Sequence, residues 1–396
     1  MDLNFKEEFP LTRNRIYFDT AFAGACPSST IRVIEEYSRD FAGLLRGERD
    51  WRKGMERWQS LKENSKKLFA EIIGSEVEEV ALLPNATTGI NTAFSMLPLE
   101  RGDNVVTTDL CFPMHAAVVN KQREESVKPR FIRNVKGAVE TGDFEKNVDD
   151  RTAAVLVSQA EWANGFLHDL RAISDIAHDH GAYLIVDGTQ SVGGLDWDVE
   201  RDGVDFLAAS AYKWLMGGVR GQYAGFFYVS REQEEILQPR FVGGQTLKPE
   251  YRRMFSAGRE SIDERFDIEN FEPRKGMRRF EGYHVSDAAY AAVENSMRVL
   301  LEYGMENVAR RAKRLSSALV EGLLEAGYEL QTPVEEERRL FLNVKMRRRA
   351  EDIWNELYRN GVHVSPRVGG LRVSPHFYNG EEEVEPFISK LNELAK

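Results

Sequence analysis

Tyr183-Leu184-Ile185-Val186-Asp187-Gly188-Thr189-Gln190 is an apolar run that stops on a carboxylate, and Phe206-Leu207-Ala208-Ala209-Ser210-Ala211-Tyr212-Lys213-Trp214 is a second apolar run that leads to a lysine. Each reads as a short buried strand delivering polar groups at its C-terminal end. In open α/β sheets that end is where ligands bind. A solvated lysine holds its proton up to about pH 10.4, but at the mouth of an apolar strand desolvation lowers that value and makes the amine a nucleophile toward carbonyl carbon. Working outward, residues 80–83, 104–107, 153–157 and 183–186 read as parallel strands buried on both faces, with helical patterns between them. That alternation predicts an α/β fold built on a mostly parallel, doubly wound sheet. Residues 172–180 read as one of the covering helices, with Gly181 in the C-cap position.

At 396 residues the chain exceeds one ordinary core. The pattern divides it into an N-terminal arm over 1–20, a large domain over 21–284 and a smaller C-terminal α+β domain over 285–396. A long amphipathic helix from residue 285 opens the small domain, followed by strand 340–344, helix 350–360, strands 362–364 and 371–373, and a last helix over 381–394. Residues 231–281 read as a charged excursion near the site or a dimer interface. Cys26 and Cys111 are the only cysteines, too few for a disulfide framework or a thiolate metal cluster. The formal charge of -11 argues against nucleic acid as a partner. No stretch approaches a membrane span, and the polar, acidic first ten residues are unlike a signal peptide, so the expected location is the cytoplasm.

Lysine and upstream carboxylate together suit pyridoxal phosphate, which needs an amine for its aldehyde and an anion against its ring nitrogen so that the protonated ring acts as an electron sink. Each residue alone has an ordinary reading, since aspartates end many strands and most lysines are solvated. Leu83-Pro84-Asn85-Ala86-Thr87-Thr88-Gly89-Ile90 leaves a strand and opens a helix. Backbone N–H groups and hydroxyls at that positive end make a phosphate cradle of Ala86, Thr87 and Thr88; a simply capped helix start is the alternative.

From about Tyr17 to its C-terminus the chain resembles the class V aminotransferase family, the branch of fold-type I pyridoxal-phosphate enzymes that includes cysteine desulfurases, kynureninases and isopenicillin N epimerase-like proteins. The resemblance implies a homodimer in which Lys213 is the Schiff-base lysine, Asp187 faces the pyridine nitrogen and Gln190 lies near the phenolic oxygen. It also implies that Ser210 and Tyr212 help hold the phosphate. In Asp109-Leu110-Cys111-Phe112-Pro113 it makes Phe112 the ring stacked over the cofactor. In Gly369-Gly370-Leu371-Arg372-Val373-Ser374-Pro375-His376 it makes Arg372 the clamp for an amino-acid α-carboxylate, a task suited to a planar guanidinium. Arg367 and Arg220 are the fallback positions for that clamp.

Departures narrow the chemistry. Ser365-Pro366-Arg367-Val368 runs straight into Gly369 without the cysteine that desulfurases place there, and the Ser-x-Tyr-Lys-Trp form is closer to the epimerase-like and kynureninase-like members. Trp162 stands where desulfurases put a cofactor-contacting asparagine. Arg279-Phe280-Glu281-Gly282-Tyr283-His284 resembles Arg-Phe-Glu-x-Gly-Thr with the Gly-Thr replaced, so Tyr283 or His284 is a candidate for the contact that this threonine makes across the dimer. His115 reads as a partly exposed, hydrogen-bonded histidine with at most a minor acid/base role. Gly217-Gly218-Val219-Arg220-Gly221 lacks the spacing of a dinucleotide-binding loop. The expected activity is chemistry at the Cα of an amino acid, as an aminotransferase or epimerase-like enzyme. A β-eliminating lyase or kynureninase-like hydrolase is the alternative, and a non-catalytic binding protein on the same fold comes last.

Overall fold

The structure, a computed structural model, describes residues 5–218, 224–243, 245–248, 250 and 272–395. Arg220 and, within the charged excursion, residues 244, 249 and 251–271 therefore lie outside the described residues. Seven strands form the central sheet: β1 (Val80–Leu83), β2 (Asn104–Thr108), β3 (Lys128–Ile132), β4 (Thr152–Ser158), β5 (Tyr183–Asp187), β6 (Phe206–Ser210) and β7 (Gly225–Val229). Their order is β1-β7-β6-β5-β4-β2-β3.

The expected direction of one edge strand changes here. Strand β1 is not parallel to the rest: it pairs antiparallel with β7, which is also antiparallel to β6. An apolar run buried on both faces reports burial and carries no sign of chain direction. The edge strand β3, Lys-Pro-Arg-Phe-Ile, escapes an apolar pattern because only its last residue is fully buried, and a proline belongs at such an edge. The opposite edge is covered. Glu281 Oε1 accepts from Leu82 N at 3.1 Å and is also ion-paired with Lys66, while Phe280 packs edge-on to Phe227 and Arg279 is ion-paired with Glu234. Within the chain, then, the Arg-Phe-Glu segment caps β1. Tyr283 packs toward Phe241 and His284 is exposed.

Helices α1 (Ser28–Leu45), α2 (Trp51–Ile73), α3 (Ala86–Met96), α4 (Pro113–Lys121) and α5 (Leu170–Asp179) belong to the large layer. Helix α5 ends as expected, with Gly181 at a φ of +72° that only glycine adopts freely. The single long helix expected from residue 285 is two, α6 (Asp287–Tyr303) and α7 (Met305–Glu325), because Gly304 at φ +89° interrupts the helical path. Tyr290 of α6 reaches the sheet, its hydroxyl lying 2.8 Å from Leu83 O and 2.6 Å from Gly225 O.

The C-terminal layer holds β8 (Leu342–Lys345), β9 (Ser365–Arg367) and β10 (Gly370–Val373), antiparallel in the order β9-β10-β8, with helices α8 (Ala350–Arg359) and α9 (Val384–Ala395). Val368 and Gly369, at φ +48° and +73°, form the two-residue turn between β9 and β10. The N-terminal segment is woven into this layer. Ile16 and Tyr17 pair in parallel with Val362 and His363, and Ser374 N donates to Phe18 O at 2.8 Å. The segment then crosses to the large sheet, where Gly24 N donates to Tyr212 O at 3.0 Å. A Cβ on Gly24 would lie 2.1 Å from Lys213 O, so only glycine permits this approach. Among the described residues no helix is long and apolar enough to cross a membrane.

Candidate active site

Lys213 follows the C-terminal end of β6 by three residues, in a turn held from several sides. His376 is fully buried, and burial depresses its pKa to about 4. A neutral ring must donate through one nitrogen and accept through the other, and it does: Nε2 donates to Trp214 O at 3.0 Å while Nδ1 accepts from Phe377 N at 2.8 Å. Trp214 packs so closely on Gly193 and Gly194 that a Cβ on either would overlap it. Its Nε1 donates to Gln190 Oε1 at 3.2 Å. Gln190 Nε2 donates to Ala21 O at 3.1 Å, which leaves its second amide hydrogen for a ligand. Lys213 Nζ stands 5.6 Å from the Tyr212 ring centroid and 5.9 Å from that of Phe112.

Phe112 begins α4, where Pro113 supplies the preset first turn. Its ring is edge-on to His115 at 6.1 Å and to Trp162 at 5.9 Å. His115 is not partly exposed: it is buried, and its Nε2 lies 2.8 Å from Asp187 Oδ2. The period of α4 turns it under the sheet mouth, which its place just after a turn did not reveal. Asp187, the last residue of β5, also accepts from Thr189 N at 2.8 Å. Burial by itself would raise the Asp187 pKa, but the hydrogen bond and charge of His115, helped by Thr189, outweigh it and hold the carboxyl below the ordinary range. The chain thus keeps a buried carboxylate ionised. His115 Nδ1 has no partner among the described residues.

At the other end of the mouth, α3 points its N-terminus at the tip of β6. Gly89 permits this, since a Cβ there would come within 2.8 Å of Ala208 Cβ. Ser210 Oγ accepts from Ala86 N at 2.9 Å, and Asn85 Oδ1 accepts from Thr88 N at 2.9 Å and from the Thr88 hydroxyl at 3.2 Å. Of the three residues expected to form a phosphate cradle, Ala86 and Thr88 are therefore bonded within the protein, while Thr87 lies half-buried beside them. The Ser210 hydroxyl, accepting from Ala86 N, keeps its own O–H to donate.

Arg372, on β10, comes to the same mouth from the C-terminal layer. Its Nη1 donates to Trp162 O at 2.8 Å and Nη2 lies 3.7 Å from Asp19 Oδ1, while the buried Nε has no partner among the described residues. Burial lowers its pKa to about 10, so the guanidinium stays charged at neutral pH. Trp162 links this guanidinium to the rest: its Nε1 donates to Cys111 O at 3.1 Å and its ring meets Phe112.

The sequence profile of the class V aminotransferases matches residues 16–387. The chain belongs to that family. It is 26% identical over 389 residues to an uncharacterized aminotransferase of Bacillus subtilis, covering 98% of this chain and 96% of that protein. It is also 26% identical over 422 residues to a probable cysteine desulfurase of Pyrococcus abyssi, covering 99% and 97%. Among solved structures, the apo cysteine desulfurase of Thermococcus onnurineus superposes with a TM-score of 0.85 at 23% identity over 100% of this chain and 98% of that one, which establishes a shared fold.

Class V enzymes are pyridoxal-phosphate enzymes, and the residues present fit that group. An ionised buried carboxylate, an amine beside an aromatic ring and a serine at a helix N-terminus are the three features its ring nitrogen, aldehyde and phosphate require. The sequence reading missed Asp19 altogether and missed the partner of His115. Asp19 was detectable as a carboxylate directly after the apolar pair Tyr17-Phe18. The buried partnership of His115 with Asp187 left no local signal.

Proposed function

We propose that this class V enzyme works at the Cα of an amino acid, as an aminotransferase or epimerase-like catalyst, with Lys213 and Asp187 as its catalytic residues. The observation that carries the reading is a single chain of contacts: Lys213 Nζ near the Phe112 ring, that ring against His115 and Trp162, His115 on Asp187, and Trp162 O on Arg372. When bound, pyridoxal phosphate supplies an electron sink for the Cα–H bond pair. Asp187 keeps a negative charge for the ring nitrogen, and His115 keeps Asp187 ionised. Ala86, Thr87, Thr88, Ser210 and Tyr212 would hold the phosphate end, Gln190 would serve the phenolic oxygen, and Phe112 would pack on the ring. Lys213 Nζ would hold the aldehyde carbon until the substrate's amino group displaces it, and the freed amine would then take the Cα proton as general base. Arg372 takes the α-carboxylate in a bidentate fork. The reading also includes a homodimer and a division near residue 284 between a large cofactor layer and the smaller C-terminal layer.

Two observations favour chemistry that needs no thiol of the protein. Burial raises the Cys111 pKa to about 11 and that of Cys26 to about 12, so both stay protonated at neutral pH. The β9–β10 connection is only the Val368-Gly369 turn. Amino acids should be screened with the holoenzyme, with and without a keto-acid acceptor, while following keto acid, ammonia, sulfide and solvent deuterium at Cα. Acceptor-dependent keto acid or deuterium exchange with inversion supports the proposal; acceptor-independent ammonia or sulfide release replaces it with a lyase. On the substrate so found, the Cys26→Ala, Cys111→Ala double variant is expected to keep most of its turnover. Complete loss with fold and cofactor intact would restore a desulfurase-like mechanism.

A further inference from the structure

Asp19 stands where a substrate carboxylate would sense it. Ser365 Oγ lies 2.7 Å from Asp19 Oδ1 and 2.9 Å from Oδ2, which pins the carboxyl group to β9. Pinned there, Asp19 comes no closer than 3.7 Å to Arg372 Nη2. It neutralises part of the guanidinium charge without occupying the fork, and Arg372 Nε is left without a partner among the described residues. Buried donors are normally satisfied, so an orphaned guanidinium nitrogen beside a carboxylate held at a long ion-pair distance marks a position kept for another acceptor.

We infer that Asp19 is a built-in counter-charge that sets the affinity of the Arg372 clamp for carboxylates and makes it depend on pH. This rests on the proposed role of Arg372 in binding the substrate. When ionised, Asp19 repels an incoming carboxylate; when protonated, it leaves the whole guanidinium charge to the ligand. The charged and titratable groups around it are Arg372 and Arg367 of the β9–β10 hairpin, Tyr17 of its own segment and Tyr378 of the C-terminal segment, with Tyr212 facing Arg372 from the lysine turn. Burial raises the two tyrosines Tyr17 and Tyr378 far above neutrality, and the arginines stay protonated, so Asp19 is the member of this set that titrates near neutral pH. Burial lifts it to about 6 against the opposing pull of Arg372 and Ser365. The sign follows directly: clamp affinity is high below about pH 6 and falls as pH rises through that value.

The test measures binding of propionate, an unreactive monocarboxylate without an amino group, to the holoenzyme by titration calorimetry between about pH 5.5 and 8.5, a range in which propionate itself is ionised. The dissociation constant of the unaltered protein is expected to rise on the order of ten-fold across the range, as one unit of electrostatic coupling implies. Asp19→Asn should remove the rise and bind at pH 8 as tightly as the unaltered protein does at low pH. Ser365→Ala, which keeps the charge but removes a donor to the ionised form, should keep the rise with its midpoint moved upward, and it carries the test should Asp19→Asn fail to fold. A rise retained in Asp19→Asn, weaker binding in that variant at every pH, or an unmoved midpoint in Ser365→Ala overturns the inference. Arg372→Ala separates the two layers of the argument: propionate binding unaffected by that change removes the clamp itself, whereas binding lost in Arg372→Ala but unaltered by Asp19→Asn rejects Asp19 alone.

Discussion

Lys213→Ala is expected to reduce turnover by at least about 10³-fold, since one amine serves both as the covalent anchor and as the group that moves the Cα proton. The visible absorption of cofactor joined to a lysine nitrogen should vanish with it. The fold should survive. The turn around Lys213 is held through main-chain groups, with Gly24 N on Tyr212 O and His376 Nε2 on Trp214 O, and neither uses the lysine side chain. Unfolding midpoints should therefore differ little between variant and parent, as befits a half-buried side chain outside the core. Borohydride reduction of the parent followed by peptide mass mapping locates the attachment. Cofactor found on another lysine, or retained absorption in Lys213→Ala, would falsify the assignment.

Asp187→Asn should leave the cofactor bound and slow deprotonation at Cα by about 10² to 10³, the usual cost of removing one preorganised electrostatic partner. The amide oxygen can still accept from Thr189 N, but a neutral amide cannot hold a proton on the ring nitrogen. It also disturbs His115, which now gives its Nε2 hydrogen to Asp187 Oδ2. If the amide nitrogen takes the Oδ2 place, two donors face each other in a buried site, a costly arrangement. A primary deuterium isotope effect at Cα that grows in the variant identifies proton removal as the slowed step. Near-parental turnover would make Asp187 a purely structural strand end.

The candidate site was legible in the sequence wherever its logic is local. Apolar runs ending on Asp187 and leading through Ser210 to Lys213 record two buried strands and what their ends present. Asn85 followed by Ala86, Thr87 and Thr88 records a helix start for the same reason: cap chemistry acts over three residues. The strand expected over 362–364 instead divides, with Val362–His363 pairing to Ile16–Tyr17 and a separate strand Ser365–Arg367 pairing to β10, a split that an apolar run does not record. Other features had no local trace. The direction of β1 is absent from Val80–Leu83, since a doubly buried strand has the same composition whichever way it runs. Gly304 ends one helix and begins another through a backbone angle that an amphipathic pattern passes over. His115 reads as a partly exposed, hydrogen-bonded histidine until α4 is laid against the end of β5, and Asp19 meets Arg372 only because the N-terminal segment pairs with the last third of the chain. Sequence alone therefore determined the strand ends and the residue types they deliver, which short-range sterics and burial dictate. Tertiary structure decided strand direction and the electrostatic partners of Asp187 and Arg372, because charge and desolvation act through space between groups that the chain keeps far apart.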